Sequence, residues 1–205
     1  DVLAVECYLT AAAQGDAKAQ FNLGMMYVNG NGVEQSDENA VKWFRKAAEQ
    51  GHAHARFNLG MMYANGKGVA KDLREAFKFI KSAADPKNDN SGENGFALAQ
   101  YNLGIMYGRG QVVPQSDAYA FKWFQKAAEQ GNATAQFNLG VMYASGKGVE
   151  QNYEKAVNLF KSAAAQGDAP AQFFLGVMYA NGKGVEQSDE KAVENYLKAA
   201  EQNHA

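Results

Sequence analysis

The sequence predicts an all-α fold, a solenoid of stacked antiparallel helix pairs. Three observations carry that expectation. The string Phe21-Asn22-Leu23-Gly24-Met25-Met26-Tyr27 returns at Phe57, Tyr101, Phe137 and Phe173. Its central glycines, Gly24, Gly60, Gly104, Gly140 and Gly176, lie 36, 44, 36 and 36 residues apart. Each period holds two stretches of helical apolar spacing divided by glycines, and nothing in it reads as a strand. A fixed period between about 20 and 50 residues is the mark of stacked supersecondary units.

The elements follow in order. Residues 1–16 match the second half of a repeat, with Ala4 aligned on Ala40 and Gly15 on Gly51. Repeats then run over 17–52, 53–96, 97–132, 133–168 and 169–204, as one domain over 1–205. In the first full repeat, helix A covers about Ala17 to Val28, with Ala19, Leu23, Met26 and Tyr27 on one face. The segment Asn29-Gly30-Asn31-Gly32-Val33 breaks it, because glycine accepts positive φ. Asp37 is the expected N-cap of helix B. Helix B then runs to about Gln50, burying Ala40, Trp43, Phe44, Ala47 and Ala48, and Gly51 closes it. Gly24 inside helix A should cost about 1 kcal/mol against alanine, so its return in every copy points to two backbones in close approach. The extra eight residues of the second repeat fall near 85–92, around Asp85-Pro86-Lys87-Asn88. They read as a polar surface loop, or else as a partner contact or hinge.

Composition narrows the function. With Lys+Arg 20 against Asp+Glu 22 in 205 residues, the net charge is −2. That is a poor match to nucleic acid or an anionic membrane surface, both of which call for a basic excess. No run approaches the 18 apolar residues of a membrane-spanning helix. Cys7 is the single cysteine. It stands where Trp43 and Trp123 stand in other copies, so it is expected as a small buried hydrophobe rather than a reactive thiol. Nineteen of the 21 glycines fall in four columns of the repeat. The remaining two, Gly92 and Gly108, mark the insertion and an altered third turn, Gly108-Arg109-Gly110-Gln111-Val112.

The combination Ala-x-Ala-Gln-Phe-Asn-Leu-Gly-x-Met-Tyr, Asn-Gly-x-Gly-Val and Ala-Val-x-Trp-Phe-x-Lys-Ala-Ala-Glu-Gln-Gly resembles the Sel1-like repeats, relatives of the tetratricopeptide repeat. The resemblance covers almost the whole chain. It implies a right-handed α/α superhelix with the A helices lining a concave face, and an adaptor that holds proteins or peptides. It leaves the cellular location open while leaning toward a bacterial exported or periplasmic protein. One secreted branch carries paired cysteines bridging the two helices of a repeat, and this chain lacks them.

Groups that could do chemistry are sparse. His52 and His54 read as solvated junction histidines without an acidic or sulfur partner at metal-ligand spacing, and His204 lies at the terminus. Gly66-Lys67-Gly68 and Gly146-Lys147-Gly148 read as interhelix turns, since they lack the preceding strand and the Gly-Lys-Ser/Thr ending of a phosphate loop. No cofactor or metal is expected. The expected function is a non-enzymatic scaffold. A hydrolase acting on cell-wall or related amide substrates is one alternative. A self-assembling structural unit is another, suggested by ends that lack a capping element.

The partner is expected to be a protein or peptide bound by the part of helix A that the core does not need. That stripe reads as columns across the repeats. The first is Lys18, His54, Leu98, Thr134 and Pro170. The second is Asn22, Asn58, Asn102, Asn138 and Phe174. The third is Met25, Met61, Ile105, Val141 and Val177, and the fourth includes Asn29, Asn65 and Arg109. An asparagine amide matches both polar groups of a peptide unit. A ladder of them would hold an extended chain, or else would serve the scaffold by capping or bridging helices. Phe174, beside Phe173, reads either as a binding anchor or as a packing contact at the end of the stack. End-to-end self-association is the remaining partner expectation. The unpaired first helix, with Val2, Leu3, Val5 and Tyr8, reads as the start of a fragment or a processed chain.

Overall fold

The computed structural model describes residues 2–85, 87 and 96–202, with side chains from Val5 onward. Eleven helices and no strand occur among the described residues: α1 (Val2–Ala13), α2 (Ala17–Asn29), α3 (Asp37–Glu49), α4 (Ala53–Asn65), α5 (Leu73–Ala84), α6 (Ala97–Arg109), α7 (Asp117–Glu129), α8 (Ala133–Ser145), α9 (Tyr153–Ala165), α10 (Ala169–Asn181) and α11 (Asp189–Glu201). Even-numbered helices are the A helices of the repeat, and odd-numbered ones the B helices. Most of the insertion, together with Val2, Leu3 and His204 as side chains, lies outside the described residues. The chain forms two compact units, residues 1–103 and 104–205, whose boundary falls inside α6. In the first unit α1 packs on α2, α2 pairs with α3, α3 packs on α4, and α4 pairs with α5. In the second, α7 packs on α8, α8 pairs with α9, and α9 leads to the pair α10 and α11.

Local chemistry explains the boundaries. Helix A begins at a side-chain acceptor: Asp16 takes the Ala19 N–H at 2.6 Å, Asn132 that of Ala135 at 2.8 Å, and Asp168 that of Ala171 at 2.8 Å. It ends where Gly30, Gly66, Gly146 or Gly182 turns left-handed. The chain then returns through a repeated bond, from the Ser36 N–H to the Tyr27 carbonyl at 3.0 Å and from the Asn152 N–H to the Tyr143 carbonyl at 2.9 Å. Helix B starts one residue earlier than expected. Ser36, not Asp37, is the N-cap, its backbone extended and its Oγ accepting from the Asn39 N–H. Asp37 lies in the first turn, where its charge meets the positive end of the helix.

Each pair closes on a glycine. A Cβ placed on Gly24 would stand 2.6 Å from the Phe44 ring, one on Gly140 2.6 Å from Phe160, and one on Gly176 2.7 Å from Tyr196. Ile80 takes the same place against Gly60. Around this contact lie Leu23, Ala40, Ala47, Phe160 and Ala163, all fully or almost fully enclosed.

Neighbouring pairs are joined by a polar relay, buried at Gln20 and Gln172. Gln20, only 4% exposed, donates to the Ala12 carbonyl at the end of α1 and accepts from Gln50 beyond α3 at 2.8 Å. Gln136 links Ala128 and Gln166 in the same way, and Gln172 links Ala164 and Gln202. Arg56 substitutes in the second repeat by donating Nε–H to the Ala48 carbonyl at 3.0 Å. Each relay adds a side-chain donor to a carbonyl at a helix C-terminus that also accepts the N–H of the glycine three residues on.

Two expectations are corrected. Cys7 is exposed, not buried. Its counterpart Trp43 packs on the preceding cluster of Val5, Ala12, Ala19 and Leu23. His52 is not a solvated loop residue. It is half-buried and is the N-cap of α4, its Nδ1 accepting from the Ala55 N–H at 3.2 Å while its ring stacks on Phe21.

Three outcomes follow from this geometry. Gly140→Ala gains about 1 kcal/mol of helix propensity but pushes a methyl into the enclosed Phe160 ring. Net destabilisation of about 1–3 kcal/mol is expected in urea unfolding, with substantial recovery in Gly140→Ala/Phe160→Leu. Gln20→Leu removes the buried amide that links the Ala12 carbonyl to Gln50, at an expected cost of about 1–3 kcal/mol by the same measurement. Val112 holds φ of 73° where Gly32, Gly68, Gly148 and Gly184 stand in other turns. A β-branched residue pays for that conformation, so Val112→Gly should gain about 1 kcal/mol.

Candidate functional site

The residues of the helix A stripe differ in exposure from column to column. Lys18, His54, Thr134 and Pro170 are exposed, and Leu98 is 39% exposed, so the variable first column faces solvent throughout. The asparagine column is half-buried. The side chains of Asn58, Asn102 and Asn138 each donate Nδ2–H to the carbonyl four residues earlier, on His54 at 3.0 Å, Leu98 at 2.8 Å and Thr134 at 2.8 Å. These asparagines therefore neither cap nor bridge helices through that bond. It ties each amide to its own helix and fixes its plane. The same bond recurs at Asn181 and at Asn195 of α11, so it belongs to asparagine on these helices rather than to the stripe alone.

The third column is shared with the core. Met25 packs against the cluster of Phe44, Leu59 and Met62, and Val141 against that of Phe160, Leu175 and Met178. Met61, Ile105 and Val177 are half-buried as well. Asn29, Asn65 and Arg109, at the helix ends, are exposed. Asn22 and Asn58 lie on α2 and α4 of the first unit, and Asn138 on α8 of the second.

Phe174 does not stand outward. Its ring meets Phe137 at 5.4 Å and Phe160 at 5.7 Å, which places it against the preceding pair. The outward ring is Phe173, 50% exposed and resting on Tyr196 at 5.4 Å. With Pro170 and Ala200 it borders an apolar hollow of about 490 Å³, near the exposed Val193 and Leu197.

The electrostatics are mild. The Glu194 carboxyl is held below the usual carboxylate range by a hydrogen bond from Lys198 at 2.6 Å, a solvent-facing pair on α11. Among the described residues, no group of three or more His, Cys, Asp or Glu is placed to hold a metal ion. No described helix is long and apolar enough to cross a membrane. A second concavity, of about 550 Å³, opens where α2 turns into α3, between Tyr27, Glu34 and Asn39. It escaped the sequence reading because it depends on what stands opposite a half-buried tyrosine. The exchange of Lys155 and Lys191 for Asn39 was the available signal.

Comparisons agree with this architecture. The chain is similar to a protective antigen present in uropathogenic Escherichia coli strains that displays an SLR fold: 38% identity and a TM-score of 0.86, over 97% of this chain and 41% of that one. It thus spans about two fifths of that protein. A Sel1 repeat protein from Oxalobacter formigenes shares 34% identity with a TM-score of 0.83, over 93% and 73% of the two chains. An immunity protein from Pseudomonas aeruginosa shares 26% identity with a TM-score of 0.54, over 97% and 72%. No curated protein matches significantly. The Sel1 repeat model matches residues 1–16, 17–52, 53–85, 97–132, 133–168 and 169–204, and the chain belongs to the Sel1 repeat family.

Proposed function

We propose that the chain is a non-enzymatic scaffold that binds a protein or peptide through the helix A stripe. Sel1 repeats are commonly protein-interaction scaffolds, and the stripe adds what this chain brings to that role. The observation that carries the reading is the set of asparagine amides at Asn58, Asn102 and Asn138. Each is held by one N–H to its own helix. An amide bonded in this way keeps a carbonyl oxygen and a second N–H for a peptide unit, in an orientation fixed before binding. Pre-organisation lowers the entropy lost on association. The first column, Lys18, His54, Leu98, Thr134 and Pro170, varies in charge and size beside the amides and would select ligand side chains. Arg109 is an exposed cation at the end of the same stripe.

A second reading rests on the exposed apolar end of α10 and α11. Phe173, Val193 and Leu197 are 50%, 55% and 58% exposed there, which suits self-association. Sedimentation of the parent chain against Leu197→Glu separates the two readings, since only the second expects a larger species that the variant dissolves.

For the first reading, peptides selected from a random library on the intact chain should bind Asn58→Ala/Asn102→Ala about tenfold more weakly. That loss corresponds to one or two neutral hydrogen bonds. The melting temperature should change little, because both amides face outward. Unchanged affinity alongside a large loss of stability would sink the asparagine reading.

A further inference from the structure

Five tyrosines close the A helices: Tyr27, Tyr63, Tyr107, Tyr143 and Tyr179. Four have a ring or a cation resting on them. Lys155 Nζ lies 5.3 Å from the centre of the Tyr143 ring, and Lys191 Nζ lies 5.4 Å from that of Tyr179, with Lys161 at 6.0 Å. Tyr119 stacks on Tyr107 at 5.1 Å. Phe79 stacks on Tyr63 at 5.7 Å, while the Arg45 guanidinium stands 6.0 Å from that ring and donates to its hydroxyl at 2.7 Å.

The cations and Tyr119 come from two fixed positions of the repeat. One is the third residue of the paired helix B, filled by Lys155, Lys191 and Tyr119. The other is the ninth residue of the preceding helix B, filled by Arg45 and Lys161. For Tyr27 the two positions hold Asn39 and Leu9, neither a cation nor an aromatic ring. The place of Phe79 holds Trp43, which packs with Tyr27 on the cluster of Val5, Ala12, Ala19 and Leu23 and carries Lys46 Nζ at 4.4 Å over its own ring. Tyr27 instead borders the cleft of about 550 Å³, with Val33, Glu34, Gln35, Ser36 and Asn39 as its other walls.

The charge around the cleft suits a cation. Glu34 lines it, and Asp37 and Glu38 follow in the first turn of α3. Lys42, whose Nζ donates to Asn39 Oδ1 at 3.4 Å, offsets one of these three charges. An ammonium or guanidinium within about 6 Å of a ring centre is attracted by the negative face of the π-system, and more strongly once partly desolvated.

We propose that the cleft beside Tyr27 is a binding site for an alkylammonium or guanidinium group, the lysine or arginine side chain of a partner peptide. The group would rest over Tyr27 as Lys155 rests over Tyr143 and Lys191 over Tyr179. The site lies at the end of the helix hairpin and shares no residue with the helix A stripe, so it stands or falls independently of the scaffold reading.

The test is a titration of the full chain, carrying ring-labelled tyrosine, with acetyl-Ala-Lys-Ala-amide, followed by NMR. Tyr27 is assigned by the resonance lost in Tyr27→Phe. A saturable shift of the Tyr27 resonance is expected in the millimolar range, absent with acetyl-Ala-Gln-Ala-amide. Asn39→Lys installs the residue found in the fourth and fifth pairs and should reduce the shift at least about fivefold by filling the ring in cis. Lys155→Asn removes the cation from Tyr143, which keeps Phe121 at 5.5 Å, and should bring Tyr143 into response to the same peptide. The proposal is overturned by an equal response to the glutamine peptide, by an undiminished response in a folded Asn39→Lys, or by a Tyr143 that stays silent in Lys155→Asn.

Discussion

The contact on which the rest of the structure depends is a bare backbone against a side chain: Gly24 on Phe44, Gly60 on Ile80, Gly104 on Phe124, Gly140 on Phe160 and Gly176 on Tyr196. A helix interior disfavours glycine by about 1 kcal/mol against alanine. The return is a helix separation that no larger residue permits, with a ring or branched chain held between the two backbones, enclosed at Phe44, Ile80, Phe124 and Phe160 and half-buried at Tyr196. Phe44 and Phe160 have almost no exposure, and burying such a side chain contributes about 1.5–3 kcal/mol. The packing gain therefore outweighs the propensity loss. Small residues follow from the same separation, since Ala40, Ala47, Ala156 and Ala163 line the seam where larger side chains would hold the helices apart.

Within a pair the glue is apolar, and between pairs it includes a buried amide. Gln20 reaches back to Ala12 and is reached by Gln50, so one side chain ties together α1, α2 and the end of α3. Apolar packing is tolerant of sliding, whereas a buried amide is satisfied at one registration only and is costly when unmet. The relay therefore defines how one pair follows the next within each unit. Arg56 makes the carbonyl half of this link in the second repeat, its guanidinium bonding where the glutamine amide does elsewhere. With these needs met at the seams, the outward helix A residues are left with little structural duty.

Much of the fold was legible because the sequence states it five times over. A repeated Leu-Gly-x-Met-Tyr on helical spacing, followed by glycine turns, leaves few other architectures, and the helix limits came within one residue at the termini. What escaped detection shares a physical cause: the determinants are pairwise and distant. Gln20 and Gln50 are 30 residues apart, and each alone reads as a surface residue. The fate of Phe174 depended on Phe137 and Phe160, which no periodicity relates to it, so the outward ring proved to be Phe173. Cys7 shared a column with Trp43, but burial in that column comes from the preceding pair and not from the residue. The asparagines were readable as a column, while their bond to the carbonyl four residues back appears only once the side-chain rotamer is known.

Repetition also turns the chain into its own control. Where all copies agree, the shared residue answers to packing, as the paired glycines and alanines do. Where one copy departs, the other copies show what the position ordinarily accomplishes, and the departure can be read as a loss or a gain of that one contact. Asp16, Asn132 and Asp168 cap helix A with amide or carboxylate oxygens, whereas His52 does so with a ring nitrogen that accepts only while unprotonated. Gly148 turns left-handed without strain, whereas Val112 does so against its own Cβ. Lys155 covers a tyrosine that Asn39, in the first pair, leaves facing a cleft. Each of these residues changes how a shared position is filled, so the physical meaning of the change is set by the repeat before any partner is known. Such departures separate what this chain does from what its architecture requires.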